Sequence, residues 1–510
     1  MTRRITWSAL AFAAAALAAG SAMAQKKGGD VVIAITQAPP AVDAHVTSAQ
    51  AARNITLHIF ETLYARDEKA QPQPELAEGV NISADGLTYV FPLRKGVKFH
   101  NGKEMTSADV VASLERYRKV GASATLLGQI DTVSASGPYE VTIKLKTVQS
   151  TFLDNLSSPR APIAIYPAEE AAKAANQINY IGTGPYRFVE YKPDSHVKLV
   201  RYDGYSQNPK ATGRDGFAGK KEVYLDTVTF RFMPEAGARN AAFEAGEVHL
   251  VETVDGPTAK RFANNSKIAI HKALPFALQV IKFNHAQAPG NDVNFRLAVQ
   301  TAIDMEEIMA IAFADIYQMD PSWLYPGSHA HNDAGKARYN TADLKAAKAL
   351  LDKSSYKKEK LIFMVDSGRQ NVDTATVIQQ RLKEIGIDIE LKVADWPTVS
   401  KIGFTKEGWN FWAHGFGIEP YEGPASVMSP WVNGTSQQAK DEKIDRLFDQ
   451  LNREMDVNKR KALFTEFQQH MWDNAIAMKA GNYGLFQVAT TRLKNFTPYR
   501  IPRMWGVWLE

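Results

Sequence analysis

The chain has 510 residues, of which 45% are hydrophobic, and its formal net charge is +5 at pH 7. This length supports about two or three domains with separate cores. The small positive charge argues against a nucleic acid or another polyanion as a partner. The absence of cysteine excludes disulfides and a lipid anchor attached to a cysteine.

The N-terminal residues predict a signal peptide over 1–24. Arg3 and Arg4 form a basic start, an apolar run follows, and residues 22–24 form a small-x-small cleavage site. We expect cleavage after Ala24 and a mature periplasmic protein that begins at Gln25. Later apolar runs are too short to cross a membrane.

The first half of the chain alternates between strand and helix patterns. The stretch 106–120 predicts an amphipathic helix, because Thr106 is a suitable N-cap and Asp109 lies three positions on. The predicted strands lie at 31–35, 88–93, 139–146, 196–202 and 228–232, and a further helix is predicted at 51–64.

From about residue 278 the pattern changes to that of an α/β lobe. A strand at 361–365, a helix at 373–385 ended by Gly386 and a strand at 387–393 predict a right-handed βαβ unit with parallel strands. Helices are predicted at 441–453 and 457–475, and then short strand-like or irregular pieces. Two distinct halves favour ligand capture in a cleft between lobes.

The sequence lacks the short motifs of common enzyme classes. The sequence contains no nucleophile elbow, zinc-protease helix or phosphate-binding loop, and the segment 182–186 (GTGPY) predicts a tight turn before a strand. His329 and His331 could bind a metal ion, but without a nearby third ligand they are expected to be solvated. We therefore predict a protein without catalytic site, metal or cofactor. The alternative is an exported hydrolase whose catalytic groups converge from distant positions.

Four segments resemble family 5 of the bacterial extracellular solute-binding proteins, the class of periplasmic oligopeptide-, dipeptide- and nickel-binding proteins of ABC importers. The most specific is LAEGVNISADGLTYVFPLRKGVKFHNGKEMTSADVVASLERY at 76–117, and the others lie at 181–205, 230–251 and 283–309. His249 and Met305 stand where the family usually has Asp and Arg. The similarity covers nearly the whole mature chain.

The resemblance implies an α/β type II periplasmic-binding-protein fold, with two lobes around a hinged cleft and an extra inserted domain. The expected domains are domain I at 25–59, 183–277 and 482–510, domain II (the insert) at 60–182, and domain III at 278–481. The implied role is a monomeric, non-catalytic receptor that captures a small peptide or a solute of similar size and delivers it to the membrane permease subunits of an ABC importer. A metal chelate, an opine or a sugar derivative remains an alternative cargo.

The resemblance also points to the segment 408–428 as a loop that lines the cleft. Phe416, Glu419 and Tyr421 are the first candidates for ligand contact. In the peptide-binding members an aspartate of this loop pairs with the peptide's ammonium group, whereas the nearest acids here are Glu419 and Glu422.

Other candidates have alternative structural roles. Trp412 either contacts ligand or lies with Phe411 on a buried strand as a core residue. His414 either contacts ligand or is a hydrogen-bonded structural histidine. Arg160 either binds a carboxylate or phosphate in a bidentate manner or forms a surface or structural pair. Trp396 and Trp505 are weaker aromatic candidates, and Asp43 is expected in a turn near the hinge.

Overall fold

The computed structural model describes residues 25–314, 316–417, 422–434 and 440–510. The predicted signal peptide at 1–24 lies outside the described residues. The candidate ligand residues Glu419 and Tyr421 also lie outside them. In the described part, no helix combines the length and the apolar character that crossing a bilayer requires.

The described chain forms 19 strands, with helices between them. The strands are β1 (Asp30–Ile35), β2 (Tyr64–Arg66), β3 (Pro72–Pro74), β4 (Asn81–Ile82), β5 (Thr88–Pro92), β6 (Ile130–Gly137), β7 (Glu140–Leu145), β8 (Tyr186–Lys192), β9 (His196–Arg201), β10 (Thr227–Phe232), β11 (Leu250–Val254), β12 (Ile268–Phe283), β13 (Tyr317–Gln318), β14 (Leu361–Asp366), β15 (Ile389–Ala394), β16 (Phe411–Phe416), β17 (Ala477–Thr490), β18 (Leu493–Lys494) and β19 (Trp508–Leu509). The α-helices are Gln50–Ile59, Ser107–Val120, Phe152–Leu156, Ala168–Ala171, Ala236–Glu244, Gly256–Phe262, Val293–Ala302, Met305–Phe313, Leu344–Leu351, Arg369–Glu384, Trp396–Gly403, Pro424–Met428, Glu442–Arg453 and Val457–Asp473.

One mixed sheet of 11 strands runs through the molecule in the order β15-β14-β16-β12-β17-β11-β1-β10-β9-β8, with β13 paired to β17. β12 and β17 have 16 and 14 residues and pair antiparallel along most of their length. They join the half of the sheet that holds β14 and β16 to the half that holds β1 and β10. The domain boundaries expected at 277/278 and 481/482 fall within these two strands, where Leu278 pairs with Asn482.

Separate cores surround the two halves of the sheet and the segment between them. Phe363, Ile378 and Phe411 belong to one core, and Ile33, Val197 and Phe230 to a second. A third core lies between the four-stranded sheet β4-β5-β7-β6 and the helix Ser107–Val120, within the predicted insert. The exact domain boundaries stay a prediction.

Local sequence signals placed several elements correctly. The helix Ser107–Val120 begins with the predicted capping box, in which Thr106 and Asp109 bond each other's backbone N–H groups. β14 and β15 are parallel, with the helix Arg369–Glu384 between them, and Gly386 follows it with a φ of +92°. The segment 182–186, predicted as a tight turn, bends at 183–185 and leads into β8.

Three expectations about secondary structure were wrong. The helix predicted to end at residue 64 ends at Ile59, because Phe60 is already extended and β2 follows shortly after. The region after 475 holds the long strand β17 rather than short pieces. The segment 408–428 contains β16 and the helix Pro424–Met428 in addition to loop.

Candidate functional site

A cavity of about 860 Å³ lies between the predicted insert and the lobe that carries β12 and β16. The insert and the chain just before it supply one wall, and the other wall comes from β12, β16 and the helices near them. The charged and aromatic residues among the described lining residues are Arg66, Asp154, Arg160, Lys282, His329, Trp396, Phe404, Trp412, His414, Phe416, Glu422 and Arg460. Four of them carry a positive charge and two a negative charge.

The alternation of side chains along β16 explains which of its residues reach the cavity. Trp412, His414 and Phe416 are two residues apart and line it. Phe411 and Ala413 point to the opposite face and belong to the core of this lobe. β16 is therefore a buried strand, as the structural alternative for Phe411 and Trp412 predicted. One of its faces nevertheless lines the cavity.

These side chains form a continuous aromatic wall. The Trp412 ring lies 4.4 Å from the ring of His414 and 6.1 Å from that of Trp396, measured between centroids. Phe416 packs 5.7 Å from Trp431. Trp396 is half exposed, whereas Trp412 is only 1% exposed. The wall thus runs from a buried floor to an open rim, and it offers flat apolar surface to a ligand.

Lys282 lies under this wall and was missed by the sequence analysis. It pairs with Trp412 across β12 and β16, and its Nζ lies 4.8 Å from the centroid of the Trp412 ring, 5.6 Å from Phe416 and 5.5 Å from Trp431. The side chain is 2% exposed. Because burial disfavours the charged form, the pKa of Lys282 falls from 10.5 to about 7. The available signal was a lysine near the end of the apolar run at 276–283, whereas its position beside Trp412 depends on the register of β12 against β16.

His414 is a neutral imidazole. Burial, together with the nearby charge of Lys282, lowers its pKa to about 3. Its Nδ1 lies 3.0 Å from the carbonyl oxygen of Gly415. Since a carbonyl only accepts, Nδ1 carries the proton and Nε2 is left as an acceptor. Nε2 is buried and has no hydrogen-bond partner among the described residues.

The opposite wall touches this lobe at two places. Arg160 donates from Nη1 to the carboxylate of Glu422 and to the carbonyl oxygen of Gly417, both at 3.4 Å. Ser150 donates from its backbone N–H to the carbonyl oxygen of Asn452, and its hydroxyl donates to that of Leu451, both at 2.7 Å. The two walls are therefore bridged at two places.

A second ion pair stays within the wall that faces β16. Arg66 donates from Nη1 to a carboxylate oxygen of Asp154 at 2.6 Å. Neither residue was singled out from the sequence, because the two are far apart along the chain and each looks like an ordinary charged residue.

The remaining sequence candidates lie elsewhere or have other contacts. Trp505 is a core residue 5.3 Å from the ring of His58. Asp43 does form a turn, since it accepts from the backbone N–H of His45, but it is fully buried. His331 lies 3.2 Å from the carboxylate of Asp320, whereas His329 lines the cavity.

Comparison with known proteins decides the family. The sequence model of the bacterial extracellular solute-binding proteins, family 5 middle region, matches residues 71–439. The chain belongs to this family. An oligopeptide-binding protein, AppA, of Bacillus subtilis is 31% identical over 408 residues, which cover 74% of this chain and 71% of the relative. A glutathione-binding protein, GsiB, of Pectobacterium atrosepticum is 27% identical, over 78% of this chain and 74% of the relative.

Solved structures show the same fold. The substrate-binding protein CtaP from Listeria monocytogenes superposes with a TM-score of 0.83 at 23% identity, over 95% of this chain and 100% of that one. AgaA from A. tumefacien R10, solved in complex with agropinic acid, superposes with a TM-score of 0.74 at 23% identity, over 94% of this chain and 99% of that one. The predicted family and the predicted α/β two-lobe type II fold are confirmed, and the chain is a substrate-binding protein of the ABC importer class.

Proposed function

We propose that this protein captures a short peptide, or a solute of similar size, in the cavity between its lobes and hands it to the permease subunits of an ABC importer. The cavity of about 860 Å³ with walls from both lobes is the observation that carries this proposal. Pockets of roughly 300–1,000 Å³ suit ligands of drug size, which is also the size of a peptide of a few residues. The names of AppA and GsiB, an oligopeptide- and a glutathione-binding protein, support a peptide cargo.

A non-peptide acid is the second candidate. Both acids among the described lining residues, Asp154 and Glu422, already contact arginines of the cavity. A peptide's ammonium group therefore meets little negative charge from the described residues. AgaA was solved with agropinic acid and a NikA protein with Fe(III)-EDTA, so acidic non-peptide cargo occurs on this fold.

We assign ligand contact to Trp412, His414, Phe416 and Arg160, which line the cavity. Glu419 and Tyr421 stay candidates from the sequence. Closure would follow from rotation about β12 and β17, with domain I at 25–59, 183–277 and 482–510, domain II at 60–182 and domain III at 278–481. A monomer suffices for this mechanism, because one chain supplies both walls.

The function is tested with protein purified from the periplasm of an expressing bacterium. Native mass spectrometry should find an additional small mass on the protein, and the same mass should be recovered unchanged after incubation. Conversion of that compound at protein-equivalent concentration would favour the exported hydrolase. An additional mass on every preparation, including one refolded from denaturant without solute, would contradict specific capture.

Export is tested separately by N-terminal sequencing of the same sample. The basic start, apolar run and small-residue site predict that the mature protein begins at Gln25. An intact Met1 in the periplasmic fraction would contradict the predicted cleavage, and it would leave the receptor function unaffected.

A further inference from the structure

A carboxyl cluster of Glu61, Glu75 and Lys221 lies buried at the base of the hairpin β2-β3. We propose that Glu75 is a neutral carboxylic acid up to about neutral pH, that it donates a hydrogen bond from Oε2 to Thr62, and that loss of its proton at higher pH loosens the hairpin and one wall of the cavity. This proton switch goes beyond the proposed function, and only its effect on cargo rests on that function.

The carboxyl cluster holds two acids but only one lysine. Nζ of Lys221 contacts Oε1 of Glu75, and it lies 3.3 Å from Oε1 of Glu61. The hydroxyl of Tyr205, whose pKa burial raises well above its usual value, donates to the same oxygen of Glu61 at 2.7 Å. All three members of the cluster are at most 4% exposed. Because two carboxylates in one desolvated site repel each other, one of them keeps its proton more readily than an isolated acid does.

The other ionisable groups around the carboxyl cluster leave this imbalance in place. Arg94 donates from Nη1 to the backbone carbonyl oxygen of Glu75 at 3.0 Å and from Nη2 to that of Ser206, so both bonds go to the backbone rather than to a carboxylate. His58 and His100 are neutral, because burial lowers their pKa values to about 3 and about 4. One ammonium group therefore serves two acids.

The contacts of Thr62 assign the proton to Glu75. Oγ1 of Thr62 lies 2.6 Å from the carbonyl oxygen of Tyr64 and 3.3 Å from Oε2 of Glu75. A threonine hydroxyl has one hydrogen and a carbonyl oxygen only accepts, so the shorter bond takes that hydrogen. The bond between Thr62 and Glu75 then requires a hydrogen on Oε2 of the acid. An ionised Glu75 would instead bring two acceptors together without a hydrogen between them.

The environment of Glu75 agrees with this assignment. Its pKa is raised from 4.5 to about 7, chiefly by burial and in part by the charge of Glu61, against the opposing charge of Lys221. Above that pH the cluster contains two carboxylates for one ammonium group, and the bond from Glu75 to Thr62 is lost. An uncompensated negative charge in a buried site is costly, which favours opening of the hairpin to water.

The hairpin carries this effect to the cavity. The backbone N–H of Glu75 donates to the carbonyl oxygen of Leu63 at 3.0 Å, and the pairing of β2 with β3 continues to Arg66 and Pro72. Both residues of that last pair line the cavity, where Arg66 forms its ion pair with Asp154. Loosening at the base of the hairpin therefore displaces lining residues at its other end.

Infrared spectroscopy of the full mature chain without cargo tests the proton directly. A protonated carboxyl group absorbs at higher frequency than a carboxylate, so a buried one gives a band that disappears on titration from pH 6 to pH 9. We expect this band in the natural protein, and we expect Glu75→Gln, whose amide can still donate to Thr62, to lack it. Thr62→Val removes the acceptor and should shift the loss of the band to lower pH. Glu78→Gln, at an exposed position, is the control with an unchanged band.

Two infrared results would overturn the inference. One is a natural protein without the band at pH 6, and the other is a band that Glu75→Gln retains. A titration that Thr62→Val leaves unchanged would contradict the proposed bond from Glu75.

Hydrogen exchange of the segment 61–76, read by mass spectrometry and corrected for intrinsic rates, tests the loosening. In the opened hairpin Glu75 is in water and loses its proton at its ordinary pKa. The opening equilibrium of the natural protein should therefore rise with pH by up to about tenfold per unit and level off above pH 7. Opening of Glu75→Gln should not follow this course, whereas Glu78→Gln should match the natural protein. Equal pH responses of the natural protein and Glu75→Gln would refute the switch.

Calorimetric titration with the cargo recovered from periplasm separates the switch from the proposed function. Between pH 6 and pH 8 the affinity of the natural protein should fall about three- to tenfold more than that of Glu75→Gln, because an open hairpin reduces the binding-competent fraction. Equal pH dependence of the two affinities would show that the hairpin does not act on the cavity. If no cargo binds at all, the receptor function is wrong, while the infrared band and the exchange still decide the switch.

Discussion

The residues of the aromatic wall differ in burial, so their substitution should affect cargo binding and fold stability to different degrees. Phe416 is half-buried, so Phe416→Ala should weaken cargo binding by about 1–3 kcal/mol, roughly ten- to a hundredfold, with a small effect on melting. Trp412 is 1% exposed, so Trp412→Ala should also cost about 3–5 kcal/mol of unfolding free energy. Calorimetric titration with the cargo recovered from periplasm, beside denaturant unfolding, measures both quantities.

The matched control for these substitutions is Phe188→Ala. Phe188 is a half-buried ring on β8, at the far edge of the sheet, and it does not line the cavity. Its loss should leave the affinity unchanged. Equal affinities for Phe416→Ala and the natural protein would move the ligand site away from β16.

The lowered pKa of Lys282 predicts that the stability of the protein depends on pH. Its pKa is about 7 in the folded chain and 10.5 in its unperturbed state. Between these values the unfolded chain binds one proton more than the folded chain, so the free energy of unfolding rises with pH, by up to about 1.4 kcal/mol per unit. Denaturant unfolding at pH 7, 8 and 9 should therefore show the natural protein gaining stability relative to Lys282→Met. Parallel pH profiles of the two proteins would contradict the lowered pKa.

At the scale of elements, the loop before the helix Phe152–Leu156 touches the end of the helix Glu442–Arg453. Ser150 bonds Leu451 and Asn452 there, and Thr151 donates to the side chain of Asn452 at 3.2 Å. Such bonds link the two walls only while the lobes are together. The double substitution Ser150→Ala and Asn452→Ala removes the side-chain bonds, each worth about 0.5–1.5 kcal/mol.

We expect this double variant to favour the open form. Its radius of gyration without cargo should be larger in small-angle scattering, and its affinity for cargo should fall about three- to thirtyfold, because closure must then be driven by the ligand alone. Ser136→Ala, which removes a hydroxyl on the exposed strand β6, is the control. An unchanged radius together with unchanged affinity would show that these bonds do not set the closure equilibrium.

A buried ion pair connects the turn after β1 to the helix Ser107–Val120. Arg116 donates to both carboxylate oxygens of Asp43, at 2.5 and 3.1 Å, and both residues are nearly inaccessible. Removal of one partner leaves the other charge buried, so Asp43→Asn should cost about 3–5 kcal/mol of unfolding free energy. Asp203→Asn, in an exposed pair with Arg201, should cost less than about 1 kcal/mol. Similar losses from the two variants would refute this role of Asp43.

The elements that the sequence predicted correctly are those whose signals are local. The capping box at Thr106 and Asp109 and the glycine at 386 lie within a few residues of the helix ends that they fix. β17 was not predicted because it is buried on both faces along most of its length and carries Gly481 and Gly484, so alternation is missing.

The composition of the cavity could not be predicted from the sequence, because it depends on contacts between segments that are far apart along the chain. Strand parity explains why Trp412, His414 and Phe416 share a face, but the presence of Lys282 on the same face depends on the register of β12 against β16. The pair of Arg66 and Asp154 depends on packing within the insert. Neither strand register nor side-chain packing can be predicted from one local sequence pattern.

At the scale of the whole molecule, buried histidines predict sensitivity to acid. His45, His58, His285 and His414 lie in different elements, and burial lowers the pKa of each to about 3 from 6.5. Between pH 6.5 and about 3 the unfolded chain therefore binds more protons than the folded chain. The stability that depends on these neutral histidines is therefore complete above pH 6.5. Below that pH the free energy of unfolding falls, by up to about 1.4 kcal/mol per pH unit for each histidine.

Four such groups acting together should make the chain unfold cooperatively in mild acid, well before its carboxylates are neutralised. Denaturant unfolding between pH 7 and 5 measures the slope, and His58→Gln should reduce it by the share of one histidine, even though the loss of packing against Trp505 also lowers stability at every pH. Phe188→Ala lowers stability without a change in proton uptake, so its slope should equal that of the natural protein. A slope that His58→Gln leaves unchanged would show that this histidine is already protonated in the folded chain, or that acid unfolding is governed by other groups.

Because cargo stabilises only the folded chain, saturation at a hundred times Kd should offset about 2.7 kcal/mol of this loss and shift acid unfolding to lower pH.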